Sequence, residues 1–159
     1  MNTSTFLPHL MSLPAYREQI VHVEHIPASE ATYGELEEPL HPGLQSSLDA
    51  NRLLPLYSHQ ASAINAVRSG KNVVVVTPTA SGKTLCYNIP VLDTILTQKG
   101  VRALYLFPTK ALAQDQLRSL RELTTLQKIK VNCSTFDGDT PQWERAGIRR
   151  AAEIVLSNP

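Results

Sequence analysis

The stretch Asn72–Leu85 reads NVVVVTPTASGKTL, and the order of its residue types decides the fold. Four consecutive valines at 73–76 are apolar and β-branched, which suits a strand buried on both faces of a parallel sheet. Thr77–Thr84, TPTASGKT, then turns on small residues into the start of a helix. Strand, tight turn and helix start make this a phosphate-binding loop for a nucleoside triphosphate. Successive backbone N–H groups over Thr79, Ala80, Ser81, Gly82, Lys83 and Thr84 form the expected cradle, helped by the positive end of the following helix. Lys83 and Thr84 are the catalytic candidates. Lys83 is read as reaching the β- and γ-phosphates of ATP and Thr84 as a hydroxyl ligand to Mg²⁺. Thr77 stands where the usual G-x-x-x-x-G-K-[ST] pattern has its first glycine, whereas Gly82, Lys83 and Thr84 match it.

Outward from this loop the chain alternates between strand and helix patterns. Upstream, Tyr57–Ser69 fits a helix with Ala61, Ile64, Ala66 and Val67 as its apolar stripe and Gly70 closing it. Downstream, Lys83–Gln98 is a helix bent at Pro90, Arg102–Phe107 a buried strand, and Lys110–Leu123 a helix with Leu112, Leu117 and Leu120 inward. Lys130–Phe136 is a further strand, Pro141–Ala152 a helix with proline in its first turn, and Glu153–Leu156 a last strand. Strands joined by single helices predict right-handed crossovers and a parallel α/β sheet, the fold class of P-loop NTPases.

Residues 1–51 read differently. They are proline-rich and carry acidic residues at Glu35, Glu37 and Glu38 without a sustained period. They are read as an extended N-terminal lead-in, with a short strand at Gln19–Ile26 and a turn or two of helix at Leu44–Leu53. Residues 52–159 form the nucleotide-binding domain.

Composition narrows the function classes without choosing among them. The 159 residues are 42% hydrophobic with a formal charge of +1, so the chain has a core but no global basic field, and any nucleic-acid surface is a local patch. Its two cysteines, Cys86 and Cys133, lie far apart without metal-ligand spacing and read as small apolar residues in a reducing cytoplasm. The apolar run at 73–76 falls far short of the roughly 20 residues that cross a bilayer, and no membrane anchor or signal peptide is read. Oligomeric state is not legible.

Several separated motifs carry a resemblance. LYSHQ at Leu56–Gln60, TPTASGKT at Thr77–Thr84, FPTKALAQDQ at Phe107–Gln116, DGDT at Asp137–Thr140 and LSNP at Leu156–Pro159 follow the order found in superfamily 2 helicases. More narrowly, the chain resembles the YprA/MrfA-like, DUF1998-associated DEAD/DEAH-box helicases, whose first RecA-like lobe these motifs occupy. The resemblance implies that Gln60 reads adenine, with Tyr57 against the ring. It implies that Pro108, Thr109 and Lys110 grip the sugar-phosphate backbone of the tracked strand, DNA rather than RNA. Gly138, Asp139, Thr140 and Ser157 are expected along the same path.

Each motif also has a plainer reading. Thr109 and Thr140 are natural helix caps, Gly138 a turn former, Arg149 and Arg150 a solvated helix face. Trp143 has two readings, a ring that stacks on a base or one on the buried side of its helix, and burial is the commoner place for a tryptophan on an amphipathic helix.

No DEAD/DEAH-type segment is read within the sequence, so the expectation is the first part of a helicase lobe, truncated before that motif and without a second lobe. On that reading, this stretch alone hydrolyses ATP no faster than background. The family resemblance implies an ATP-dependent DNA helicase active in repair; a non-catalytic ATP and nucleic-acid binding module is the alternative. A small P-loop kinase fits poorly, because the PTKALAQDQ segment stands where no acceptor site or lid is visible.

Overall fold

The computed structural model describes residues 3–28, 30–125 and 129–159, in two compact units, Met1–Glu30 and Ala31–Pro159. In the first, α1 (Thr3–Ser12) is followed by a stretch without regular structure. The strand expected at Gln19–Ile26 is absent there, and Val21 and Ile26 are exposed.

The second unit holds five helices and three strands among the described residues: α2 (Pro42–Ala50), α3 (Ser58–Arg68), α4 (Lys83–Thr97), β1 (Ala103–Leu106), α5 (Lys110–Thr125), β2 (Cys133–Thr135), α6 (Gln142–Ala151) and β3 (Ile154–Ser157). The strands form a parallel sheet in the order β1-β3-β2. Ile154 of β3 aligns with Ala103 of β1 and Cys133 of β2. Because the strands run the same way, the segments after Leu106, Thr135 and Ser157 emerge at one carboxyl edge, where α/β sheets place their ligands.

The core gathers Leu44 and Leu48 of α2, Ile64 of α3, Ile89 and Leu92 of α4, Leu117 and Leu120 of α5, and Ile154 and Leu156 of β3. The helix expected at Leu44–Leu53 therefore exists as α2. His41 precedes it and accepts a hydrogen bond from the Gly43 N–H at 3.2 Å, and the Ser47 hydroxyl donates to the Leu123 carbonyl. On α3 and α5 the apolar stripes are narrower than expected, for Val67 and Leu112 lie exposed.

An ion pair fastens α3 to α4. Arg68 reaches Asp93 at 2.6 Å and also donates to the carbonyls of Glu38 and Pro39. Asp93 in turn accepts the backbone N–H of His41 at 2.7 Å.

The valine segment departs from expectation. Residues 72–77 run without strand pairing, and Val74 and Val76 are 87% and 89% exposed. A strand is a cooperative object: its residue types favour extension, but the ladder needs a neighbouring strand in register. Beside the segment opens a cleft of about 460 Å³ lined by Val73, Val75, Lys83, Cys86 and Tyr87 among others. β1 is itself half covered, with Leu104 and Leu106 facing outward, where burial on both faces was expected.

Candidate nucleotide and nucleic-acid site

The loop between the valine segment and α4 closes around a lysine. The Lys83 ammonium donates to the Thr77 carbonyl at 2.8 Å and to the Pro78 carbonyl at 2.6 Å. The hydroxyls of Thr77 and Ser81 meet across the loop at 2.6 Å. Two left-handed residues make the curl possible, Ala80 at φ 61° and Gly82 at φ 74°. For alanine that conformation costs roughly 1–2 kcal/mol, strain of the kind held at ligand sites.

The first turn of α3 clasps this loop with two side chains. Gln60, 2% exposed, donates its amide N–H to the Gly82 carbonyl at 3.0 Å and accepts the Tyr57 backbone N–H at 2.9 Å. His59 Nε2 lies 3.0 Å from the Ser81 carbonyl, a contact that sequence reading missed because histidine carries no positional signal there. A Cβ at Gly82 would fall 2.5 Å from Gln60 Nε2, so both the left-handed backbone and this close approach call for glycine. The expected adenine reader and the phosphate loop are thus joined directly.

Tyr57 sits within an aromatic ladder. Its ring stacks on Tyr33 at 5.6 Å and on His59 at 5.9 Å, with interplanar angles of 10° and 12°. Tyr33 and Tyr57 also form an isolated antiparallel bridge. Tyr33 lies far upstream of the motif, so only the tertiary structure brings it to the site.

At the carboxyl edge of the sheet the segments after β1 and β2 meet. Lys110 Nζ lies 2.7 Å from Asp139 Oδ2, with both side chains substantially exposed. Hydrogen bonding to that carboxylate holds the Lys110 ammonium above its ordinary value. Thr109 takes its capping role: its hydroxyl accepts the Leu112 N–H at 3.2 Å. Pro108 is exposed beside it.

Thr140 is buried, and its hydroxyl accepts the Asp137 N–H at 2.9 Å, closing the turn that carries Gly138 and Asp139. Arg145 braces the same turn, donating to the carbonyls of Thr140 at 3.0 Å and Asp137 at 3.1 Å with its guanidinium over the Phe136 ring. Ser157 donates to the Phe136 carbonyl at 2.5 Å. Gly138, Asp139, Lys110, Thr109 and Pro108 are therefore the outward members of the expected set, whereas Thr140 and Ser157 serve the turn and the strand ends.

Trp143 is not on the buried side of α6 but 79% exposed. Burial raises both thiols, Cys133 to about 11, in keeping with their apolar role. Among the described residues no group of three or more His, Cys, Asp or Glu side chains could hold a metal ion, and no helix is long and apolar enough to cross a membrane.

The family profile described as DEAD/DEAH box helicase matches residues 57–159, well over half of the chain. The chain belongs to the DEAD/DEAH box helicase family. Among curated members of that family, it is 43% identical to the uncharacterized ATP-dependent helicase YprA of Bacillus subtilis over 96% of its length and 20% of the relative's. It is also 43% identical to the ATP-dependent helicase hrq1 of Schizosaccharomyces pombe, over 96% of its length and 15% of the relative's. The crystal structure of the DUF1998 helicase MrfA bound to DNA and AMPPNP superposes on the whole chain with a TM-score of 0.86 and 40% identity, using 22% of that protein. The family fold is RecA-like, and this DEAD/DEAH box chain spans about a fifth or less of these relatives' length.

Proposed function

We propose that this chain carries the nucleotide-holding part of the first lobe of an ATP-dependent DNA helicase that acts in DNA repair. One observation carries the reading: the Lys83 ammonium is enclosed by carbonyls of a strained loop that His59 and Gln60 clasp from α3. A cation held by neutral carbonyls is poised to exchange them for phosphate oxygens, whose charge makes a stronger hydrogen bond.

The residue set fits the nucleotide. Lys83 would hold the terminal phosphates, the N–H groups of residues 79–84 would cradle them, and Thr84 would offer its hydroxyl to Mg²⁺. Gln60 and Tyr57 stand at the base end, joined to the loop through the Gly82 carbonyl. ATP supplies the free energy for movement along the strand when bound. The nucleic-acid path runs over Pro108, Thr109, Lys110, Gly138 and Asp139, with Thr140 and Ser157 supporting it from beneath.

DNA is favoured over RNA because MrfA, 40% identical, was solved with DNA. A cytoplasmic setting agrees with two buried free thiols.

The deciding measurement is equilibrium binding of a fluorescent ATP analogue with Mg²⁺ present. Lys83→Ala is expected to weaken it at least tenfold, since a charged hydrogen-bond partner is worth about 1.5–3 kcal/mol. Equal affinity in the two proteins would overturn the assignment.

A further inference from the structure

We propose that Trp143 is a stacking platform for a nucleobase of a single strand whose backbone lies over the 108–110 and 137–140 segments; this rests on the nucleic-acid path proposed above. Trp143 is the chain's one tryptophan and is 79% exposed. Large aromatic side chains are normally buried because of the area they withdraw from water, so an uncovered indole calls for an occupant.

The helix beneath it is firmly held. Arg145 ties its first turn to the carbonyls of Asp137 and Thr140, and Arg102 donates to the carbonyls of Arg149 and Arg150 at its end, at 2.7 and 2.9 Å. Yet α6 buries none of its own side chains fully. A helix anchored at both ends through its polar groups presents its outer stripe in a fixed position.

That stripe consists of Trp143, Ala146, Gly147 and Arg150, all exposed, at the i, i+3, i+4 and i+7 spacing of one helical face. A Cβ added at Gly147 would meet no heavy atom within 4 Å, so the surface beside the ring is open. The stripe therefore offers a flat ring, a low shelf of small residues and a guanidinium.

Its chemistry selects the occupant. No other large apolar residue shares the stripe, which leaves little for an apolar protein partner to bury. Three arginines against one glutamate on α6 favour an anion. A ring with nearby cations suits a base and its phosphate, the combination used by surfaces that bind single strands without reading sequence. Position agrees, since Trp143 follows by three residues the turn whose Asp139 pairs with Lys110.

Because the chain has one tryptophan, its emission reports on this site alone. Titration with an oligothymidine of about twelve nucleotides, within the usual site size, is expected to quench that emission. Anisotropy of an end-labelled strand should show affinity about tenfold weaker in Trp143→Ala and largely kept in Trp143→Phe, in line with the worth of one base–aromatic stack. An abasic strand of equal length is expected to bind wild type and Trp143→Ala alike, without quenching.

Binding of the thymidine strand with unchanged emission, and with equal affinity in Trp143→Ala, would overturn the platform and leave the nucleic-acid path standing. A wild-type chain that binds the ATP analogue but no labelled strand would remove the path and the platform together. A blue shift of the wild-type emission with protein concentration, joined to an apparent mass by light scattering that grows in wild type and not in Trp143→Ala, would instead assign the indole to a contact between copies.

Discussion

Gly82 concentrates the constraints on the phosphate loop. It starts α4 from the left-handed region at φ 74°, its carbonyl receives Gln60, and the space a side chain would take is already filled. In Gly82→Ala the methyl group must push away an amide that is buried and bonded at both ends. The expected outcome is a destabilisation of about 1–2 kcal/mol from the backbone alone, with ATP-analogue affinity falling roughly tenfold as Gln60 loses its place. A melting curve and a binding isotherm read the two effects, and an unchanged pair would show that the Gln60 clasp is dispensable. Gly82, Lys83 and Thr84 could be singled out as candidates in sequence because they form a contiguous pattern with its own chemistry. His59, Tyr33 and Arg145 were not, since each acts through a contact that the chain reaches only by folding.

At the scale of elements, the helices of the second unit were read more accurately than its strands, whereas α1 was not expected at all in a stretch read as extended. The turn from helix to loop is signalled locally by Gly70 and Gly100, which lie at φ 79° in both cases, and α3, α4, α5 and α6 fall within a few residues of their expected bounds. Strand limits depend on pairing: the segment expected to run from Lys130 to Phe136 keeps only Cys133–Thr135 in the ladder. How helices join was also hidden. Asp93 links three pieces of chain by accepting from Arg68 and from the His41 N–H, with 13% of its side chain exposed. Asp93→Ala leaves a largely buried guanidinium without its counter-charge, so the melt should show a loss of about 3–5 kcal/mol. The double variant Asp93→Leu with Arg68→Leu is expected to recover only part of it, because the His41 N–H loses its acceptor, and a single variant as stable as wild type would count against the clasp.

For the whole molecule, the sheet and the valine segment leave apolar surface uncovered. Val74, Val76, Leu104 and Leu106 are all strongly exposed, and among the described residues β1 pairs on one side only. Exposed apolar residues beside an open strand edge favour association. Light scattering of the 159-residue chain is expected to show an apparent mass that grows with concentration, reduced by lysines at positions 74 and 76. A wild-type chain that stays monomeric through the millimolar range would overturn this expectation. The same surface explains why four valines predicted a buried strand and the structure holds an unpaired one. Residue type sets the preference for extension, but only a neighbouring strand supplies the ladder.

From sequence alone came the α/β class and the parallel strand–helix alternation, because each rests on local period, and the reading of Thr77–Thr84 as a phosphate-loop candidate, because it rests on a contiguous motif. Tertiary structure decided what the motifs do to one another. It closed the loop on Lys83, seated Gln60 against Gly82, paired Lys110 with Asp139 and turned Trp143 outward. Those contacts join residues far apart in the chain, whose approach is fixed by packing and not by any local pattern. The loop at Thr77–Thr84 could be read as a phosphate-binding candidate before folding; that its lysine rests on the loop's own carbonyls is a property of the folded molecule.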